Sequence, residues 1–181
     1  VHLHMSKALS TNVGHLKLLE IAAAFADELG ETAARDIYTG WADDLRVAIR
    51  DTLFDADAGL YSAFITTELD PAPARQYDLL GNALAVLHGV GDAGRLETVV
   101  ASYPQLPKGP SVIWPQQKEI PIYHNRGIWP FVTAYWLRAA REVRNDTAVT
   151  HNMKSLIRGA ALNLSNMENF EAVTGLPWVD D

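Results

Sequence analysis

Cysteine is absent from this 181-residue chain. That excludes disulfides and thiolate metal sites, and it leaves cytoplasmic and exported locations equally open. Basic residues are in the minority: 15 Lys and Arg face 22 Asp and Glu, a formal charge of -7. Binding to nucleic acid or to an anionic membrane surface draws on clustered Lys and Arg, which this sequence does not offer. No apolar run approaches the ~20 residues that a bilayer-spanning helix needs. Metal-ligand patterns are missing too. The six histidines (His2, His4, His15, His88, His124 and His151) make no H-x-x-x-H pair on one helix. The segment Asp55-x-Asp57-x-Gly59 lacks the later ligands and the Glu of a calcium loop, so it reads as a turn capped by Asp. No metal site is expected. Val1 to Met5 carry neither a basic n-region nor an apolar h-region, and position 1 is not Met, so the native N-terminus is expected upstream.

What the sequence does have is helical spacing. With 48% hydrophobic residues it can bury one core, and residues 1–181 are expected to form a single domain. Leu18, Ile21, Ala22, Phe25 and Leu29 make one apolar stripe, stopped by Gly30; Trp41, Leu45, Ala48, Ile49 and Leu53 make the next. A short strand is expected within Leu60 to Ile65, followed by a Pro-containing loop from Thr66 to Pro73. Helical spacing resumes at Leu80, Ala83, Leu84 and Leu87, breaks at Gly89-Val90-Gly91, and restarts after Asp92, a good N-cap. Two more stripes follow the long irregular stretch from Tyr103 to Arg126. They are Val132, Tyr135, Trp136, Ala139, Val143 and then Val149, Met153, Leu156, Ile157, Ala160, Leu164, with Asp146 as the expected cap of the second. The pattern predicts an all-α fold of six helices in three αα-hairpins, with long loops recurring at one end and short β segments inside them. Hairpins that repeat but vary suggest a toroid or a solenoid.

Chemistry-bearing residues concentrate in the long loop and near the end. Tyr123-His124-Asn125-Arg126-Gly127-Ile128-Trp129-Pro130 leads directly into a helix, with Trp114-Pro115-Gln116-Gln117 just upstream. Aromatic rings cover the C–H faces of sugars, while amides, guanidinium and imidazole bond hydroxyls directionally. A plainer reading is that Trp129-Pro130 only starts a helix and Trp129 belongs to the core. Glu168 lies on a loop after a helix end, where a carboxylate can act as a general base toward water. By residue type alone, Glu168 and Glu171 read equally as solvated loop charges.

These segments, in this order, resemble the C-terminal signature of the six-hairpin (α/α)6-barrel glycoside hydrolase superfamily. The likeness is to its mannosylglycerate-hydrolase, processing α-glucosidase and glycogen-debranching groups. It rests on Tyr123-His124-Asn125-x-Gly127-Ile128-Trp129-Pro130 and on Glu168-x-Phe170-x-x-x-Thr174-Gly175. Leu53-Phe54-Asp55-x-x-x-Gly59-Leu60-Tyr61 and Tyr77-Asp78-Leu79-Leu80-Gly81-Asn82-Ala83 extend it, over residues 10 to 176.

The resemblance implies an inverting glycosidase, in which one carboxylic acid protonates the leaving oxygen and a second carboxylate, ~6.5–9.5 Å from the first, deprotonates the water between them. It implies Glu168 as the base, with Glu171 as second choice. Tyr123, His124, Asn125, Arg126, Trp129, Trp114 and Gln116 would then shape the pocket for a carbohydrate substrate. Relatives carry Arg-Gly-Pro-x-Trp where this chain reads Asn125-Arg126-Gly127-Ile128-Trp129, so the sugar is left open. The resemblance implies that the general acid, usually an Asp, lies in a loop N-terminal to these residues; Asp78 and Asp43 read instead as a helix start and a solvent-facing charge. The chain is thus expected to be the C-terminal part of a barrel, incomplete at both ends. Alone it would be inactive, or would associate through helix faces that the rest of the barrel would cover. Two rivals remain: a non-catalytic helical toroid that binds carbohydrate or serves as an interaction scaffold, and a disaccharide phosphorylase.

Overall fold

The computed structural model describes residues 6–66, 71–117 and 119–177. His2, His4 and part of the loop expected between Thr66 and Pro73 lie outside the described residues. Six helices carry the fold: α1 (Leu9–Glu28), α2 (Thr32–Leu53), α3 (Leu79–Leu87), α4 (Ala93–Ser102), α5 (Pro130–Glu142) and α6 (Asp146–Asn163). They form three successive hairpins. α1 packs on α2, α3 on α4 and α5 on α6, while α1 also packs on α3 and α3 on α5. The first helices of the hairpins therefore stand in a row, each backed by its own second helix.

Local chemistry sets the ends of these helices. Gly30 takes φ +75 after α1, and the Glu31 N–H reaches back to the Ala26 carbonyl at 2.8 Å, closing the helix as the sequence predicts. The Asp92 carboxylate accepts from the Arg95 N–H at 2.9 Å to cap α4. Pro130 opens α5 from the position where its missing N–H costs nothing. The cap of α6 is Asn145, whose side chain accepts from the Ala148 N–H at 3.0 Å; Asp146, the expected cap, is already the first helical residue.

α3 stands mid-row and is buried on several sides, through Leu79, Gly81, Asn82, Ala83, Ala85 and Val86. Asn82 is satisfied there: it accepts from the Tyr61 N–H at 2.9 Å and donates to the Tyr61 carbonyl at 2.9 Å. Tyr103 and Trp136, both fully buried, pack with ring centroids 5.2 Å apart and tie the second and third hairpins together.

The apolar stripes expected on α1 and α6 are real, but they are not the ones covered. α1 buries Leu9, Val13, Leu16, Leu19 and Ala26, while Leu18, Phe25 and Leu29 are 61%, 61% and 78% exposed and Ile21 and Ala22 also keep contact with solvent. On α6 the buried positions are Ala148, Asn152, Ser155 and Gly159; of the expected stripe Val149, Leu156 and Ala160 are half-buried, while Met153, Ile157 and Leu164 face solvent. Trp41 and Tyr135 are likewise exposed. Helices apolar on more than one face are built for more than one neighbour. Among the described residues only one side is filled.

Short strands connect the hairpins at one end. β1 (Lys7–Ala8) pairs with β4 (Phe64–Ile65), β5 (Tyr77–Asp78) with β6 (Ile113–Trp114), and β7 (Gly127–Ile128) with β8 (Phe170–Glu171). In each pair the first strand leads into a row helix, and the second belongs to the loop that follows that helix's own hairpin. β2 (Phe54–Asp55) and β3 (Leu60–Tyr61) form a separate hairpin after α2. Its turn is held by Asp55, which accepts from the Asp57 N–H at 3.0 Å and from the Tyr77 hydroxyl at 2.7 Å.

Candidate active site

The up-and-down order of the helices puts three connections at one end: residues 54–78 before α3, 103–129 before α5, and 164–177 after α6. The candidate residues all lie on the last two. The turn from Ile122 to Gly127 is tight, because the Ile122 carbonyl accepts from Asn125, Arg126 and Gly127 N–H groups at 2.9–3.0 Å. A Cβ on Gly127 would lie 2.6 Å from the Tyr123 carbonyl oxygen, so only glycine allows this closure. The turn brings Tyr123, His124 and Trp129 into one aromatic cluster. The Trp129 indole N–H donates to the Tyr123 carbonyl at 2.8 Å. The Tyr123 ring meets Trp129 edge-on at 4.7 Å, and His124 stacks on Trp129 at 5.3 Å.

Pairing of β7 with β8 carries the Glu168 loop to this cluster. Gly127 lies opposite Glu171 and Ile128 opposite Phe170. The Tyr123 hydroxyl then donates to Glu168 Oε2 at 2.9 Å, although the two residues are 45 apart in sequence. Glu168 itself is solvent-exposed.

Glu171 has different work. Its Oε2 accepts from the Val173 and Thr174 N–H groups at 2.9 and 2.7 Å, and its Oε1 lies 3.6 Å from Arg126 Nε. The carboxylate is buried and engaged in holding its own turn, away from the exposed position a base toward water requires. Asn125 is also committed to structure. It is 3% exposed, accepts from the Gln117 N–H at 2.9 Å and donates to the Ile120 carbonyl at 3.2 Å, clamping the loop from inside.

Trp114 sits on β6 opposite Tyr77, half-buried against the core, and its bond to Pro115 is cis. Gln116 faces a separate recess of ≈ 350 Å³ that also involves Gln117, Ile122, Asn125 and Arg126. The aromatic cluster borders a different cavity of ≈ 290 Å³, walled by Leu80, Val112, Ile113, Phe131 and Val132 beside Trp129, with Asp78 and His124 as its polar groups. That is just under the range of small-molecule pockets, about 300–1,000 Å³. An apolar aromatic wall with two polar groups suits the face and hydroxyls of a sugar ring. Asp78 combines two positions here: it caps α3 by accepting from the Gly81 N–H, and it lines this cavity. Burial pushes its carboxyl up to about 6, against two backbone N–H bonds that pull the other way. Sequence reasoning assigned it only the helix start, and it missed Phe131 because nothing in the spacing turns that ring toward Trp129.

No family model matches the sequence, and no curated protein matches it by sequence. Solved structures match by shape. A GH63 mannosylglycerate hydrolase from Thermus thermophilus, in complex with Tris, superposes with a TM-score of 0.77 at 14% identity, over 97% of this chain and 42% of that one. The neutral trehalase Nth1 from Saccharomyces cerevisiae gives 0.76 at 12% identity, over 94% of this chain and 35% of that one. A protein named sialidase gives 0.75 at 16% identity, over 96% and 18%. The chain spans less than half the length of each. Near-complete coverage on this side shows that all three hairpins follow the same path, and the chain therefore has the six-hairpin glycosidase fold, as a part of its (α/α) toroid.

Proposed function

We propose that this chain supplies the general-base side of a glycoside hydrolase active site, with Glu168 as the base and the general acid contributed from outside these residues. The observation that carries the reading is the meeting of Tyr123 and Glu168 at 2.9 Å beside the Trp129 cluster. It joins the two segments on which the family resemblance rests. An exposed carboxylate tied through Tyr123 to the aromatic cluster that borders this cavity can take a proton from water as that water attacks the anomeric carbon. Attack opposite the leaving oxygen inverts the configuration. Trp129, Phe131 and His124 would cover the sugar face, with Asp78 available to accept from a hydroxyl. Arg126, Asn125, Trp114 and Gln116 would shape the surrounding loops. No cofactor enters this chemistry, which needs only carboxyl groups and water.

The test uses the full-length protein on a panel of glycosides, with product anomers followed by NMR. Glu168→Gln is expected to lower turnover by about 10²–10⁴-fold, the usual contribution of a general base. Wild-type turnover in that variant would remove the assignment. Binding of sugar without turnover by the full-length protein would favour the non-catalytic carbohydrate-binding reading, and a strict need for phosphate would favour phosphorolysis.

A further inference from the structure

We infer that Tyr123 is a positioning residue for Glu168, and that Trp129 and Gly127 hold Tyr123 in place for that task. The inference rests on the proposed role of Glu168 as base. A glutamate on an exposed loop has several rotamers of similar energy, so most of its conformations present the wrong oxygen, or none, to a bound water. Here Glu168 Oε2 is engaged by the Tyr123 hydroxyl at 2.9 Å, a hydrogen bond to an ionised acceptor. Oε1 receives no hydrogen bond from the described residues and is the oxygen left to accept the proton from water.

Tyr123 can hold a partner because it is itself held. Its carbonyl accepts from the Trp129 indole at 2.8 Å, and its ring meets His124 edge-on at 4.5 Å and Trp129 edge-on at 4.7 Å. A Cβ at position 127 would meet the Tyr123 carbonyl oxygen at 2.6 Å and the Trp129 Nε1 at 3.3 Å, so Gly127 keeps that bond closed. The β7–β8 pair fixes the spacing between the turn and the Glu168 loop. Tyr123 thus reaches the base from a rigid support, the arrangement a positioned catalytic group requires.

A double-mutant cycle in the full-length enzyme tests this, with Tyr123→Phe, Glu168→Gln and both together, each checked for an unchanged melting temperature. Loss of one hydrogen bond to a charged group is expected to lower kcat about 10- to 100-fold in Tyr123→Phe, with KM within about twofold. In the Glu168→Gln background the same change should cost nothing further, since there is no base left to orient. Wild-type kcat in Tyr123→Phe, while Glu168→Gln is impaired, would overturn the positioning role and leave the base standing. An equal loss in both backgrounds would overturn it too, by showing that Tyr123 acts on the sugar or the fold. Full turnover in Glu168→Gln alone would instead sink the base assignment on which the inference rests.

Discussion

Arg126 Nε stands 3.6 Å from Glu171 Oε1 across the junction of β7 and β8, while the other oxygen of that carboxylate takes two backbone N–H bonds. The shorter contacts decide what Glu171 does. At 3.6 Å the guanidinium compensates a buried charge, whereas bonds of 2.9 and 2.7 Å close the Val173–Thr174 turn. Glu171→Ala leaves two donors without their acceptor and should destabilise the chain by about 1–3 kcal/mol. Glu171→Gln keeps an acceptor oxygen and should cost less. Urea denaturation of the two variants checks the order.

Asp78 gives the chain a pH dependence of known sign. Its carboxyl lies at about 6 in the folded chain against an ordinary 3.8, so the folded state holds the proton more tightly than the unfolded one. That contribution to stability is full below 3.8 and is lost as pH rises toward about 6. Asp78→Asn keeps an N-cap oxygen for Gly81 and removes the titration. The variant should therefore gain on the wild type as pH rises from about 4 to about 7, measured as urea midpoints at each pH. A constant difference across that range would contradict the assignment.

Two glycines in helices should respond oppositely to alanine. Gly159 on α6 lies under the Phe170 ring, and a Cβ there would approach it to 2.7 Å. Overpacking of this kind costs about 1–3 kcal/mol, more than the ~1 kcal/mol that alanine gains in a helix. Gly159→Ala should lower the melting temperature and loosen the strand beside Glu168. Gly14 on α1 has nothing within 4 Å of its added Cβ, so Gly14→Ala should raise the melting temperature.

The exposed stripe of Leu18, Phe25 and Leu29 leads us to expect that the isolated chain self-associates. Sedimentation velocity should show a concentration-dependent shift. Leu18→Gln with Phe25→Gln should abolish it and leave the helix content by circular dichroism unchanged.

The parts of this fold legible in the sequence are those set by neighbours along the chain. Gly30, Asp92 and Pro130 mark helix ends because caps and φ preferences act within one turn. The helical period is legible for the same reason. What period cannot say is which of two apolar faces on α1 gets covered, since that depends on helices distant in sequence. Asn145 and Asp146 are both good caps, and only the path of the chain chose between them. Asn125 reads as a sugar ligand by type, yet burial turned its amide inward to clamp its own loop. The contact between Tyr123 and Glu168 has no local signature at all. It depends on two-residue strands, too short for any alternation of apolar and polar residues to announce them.

Those strand pairs all point the same way along the chain. β1, β5 and β7 each precede a row helix, and each binds a strand that is made later, in the loop after its own hairpin. Every finished hairpin thus presents a waiting backbone edge to the segment that follows it. That order suits hairpins locking on one after another as a ribosome delivers them. The same polarity limits how far a change in loop length is felt. A longer connection would act first on the pairing with its predecessor.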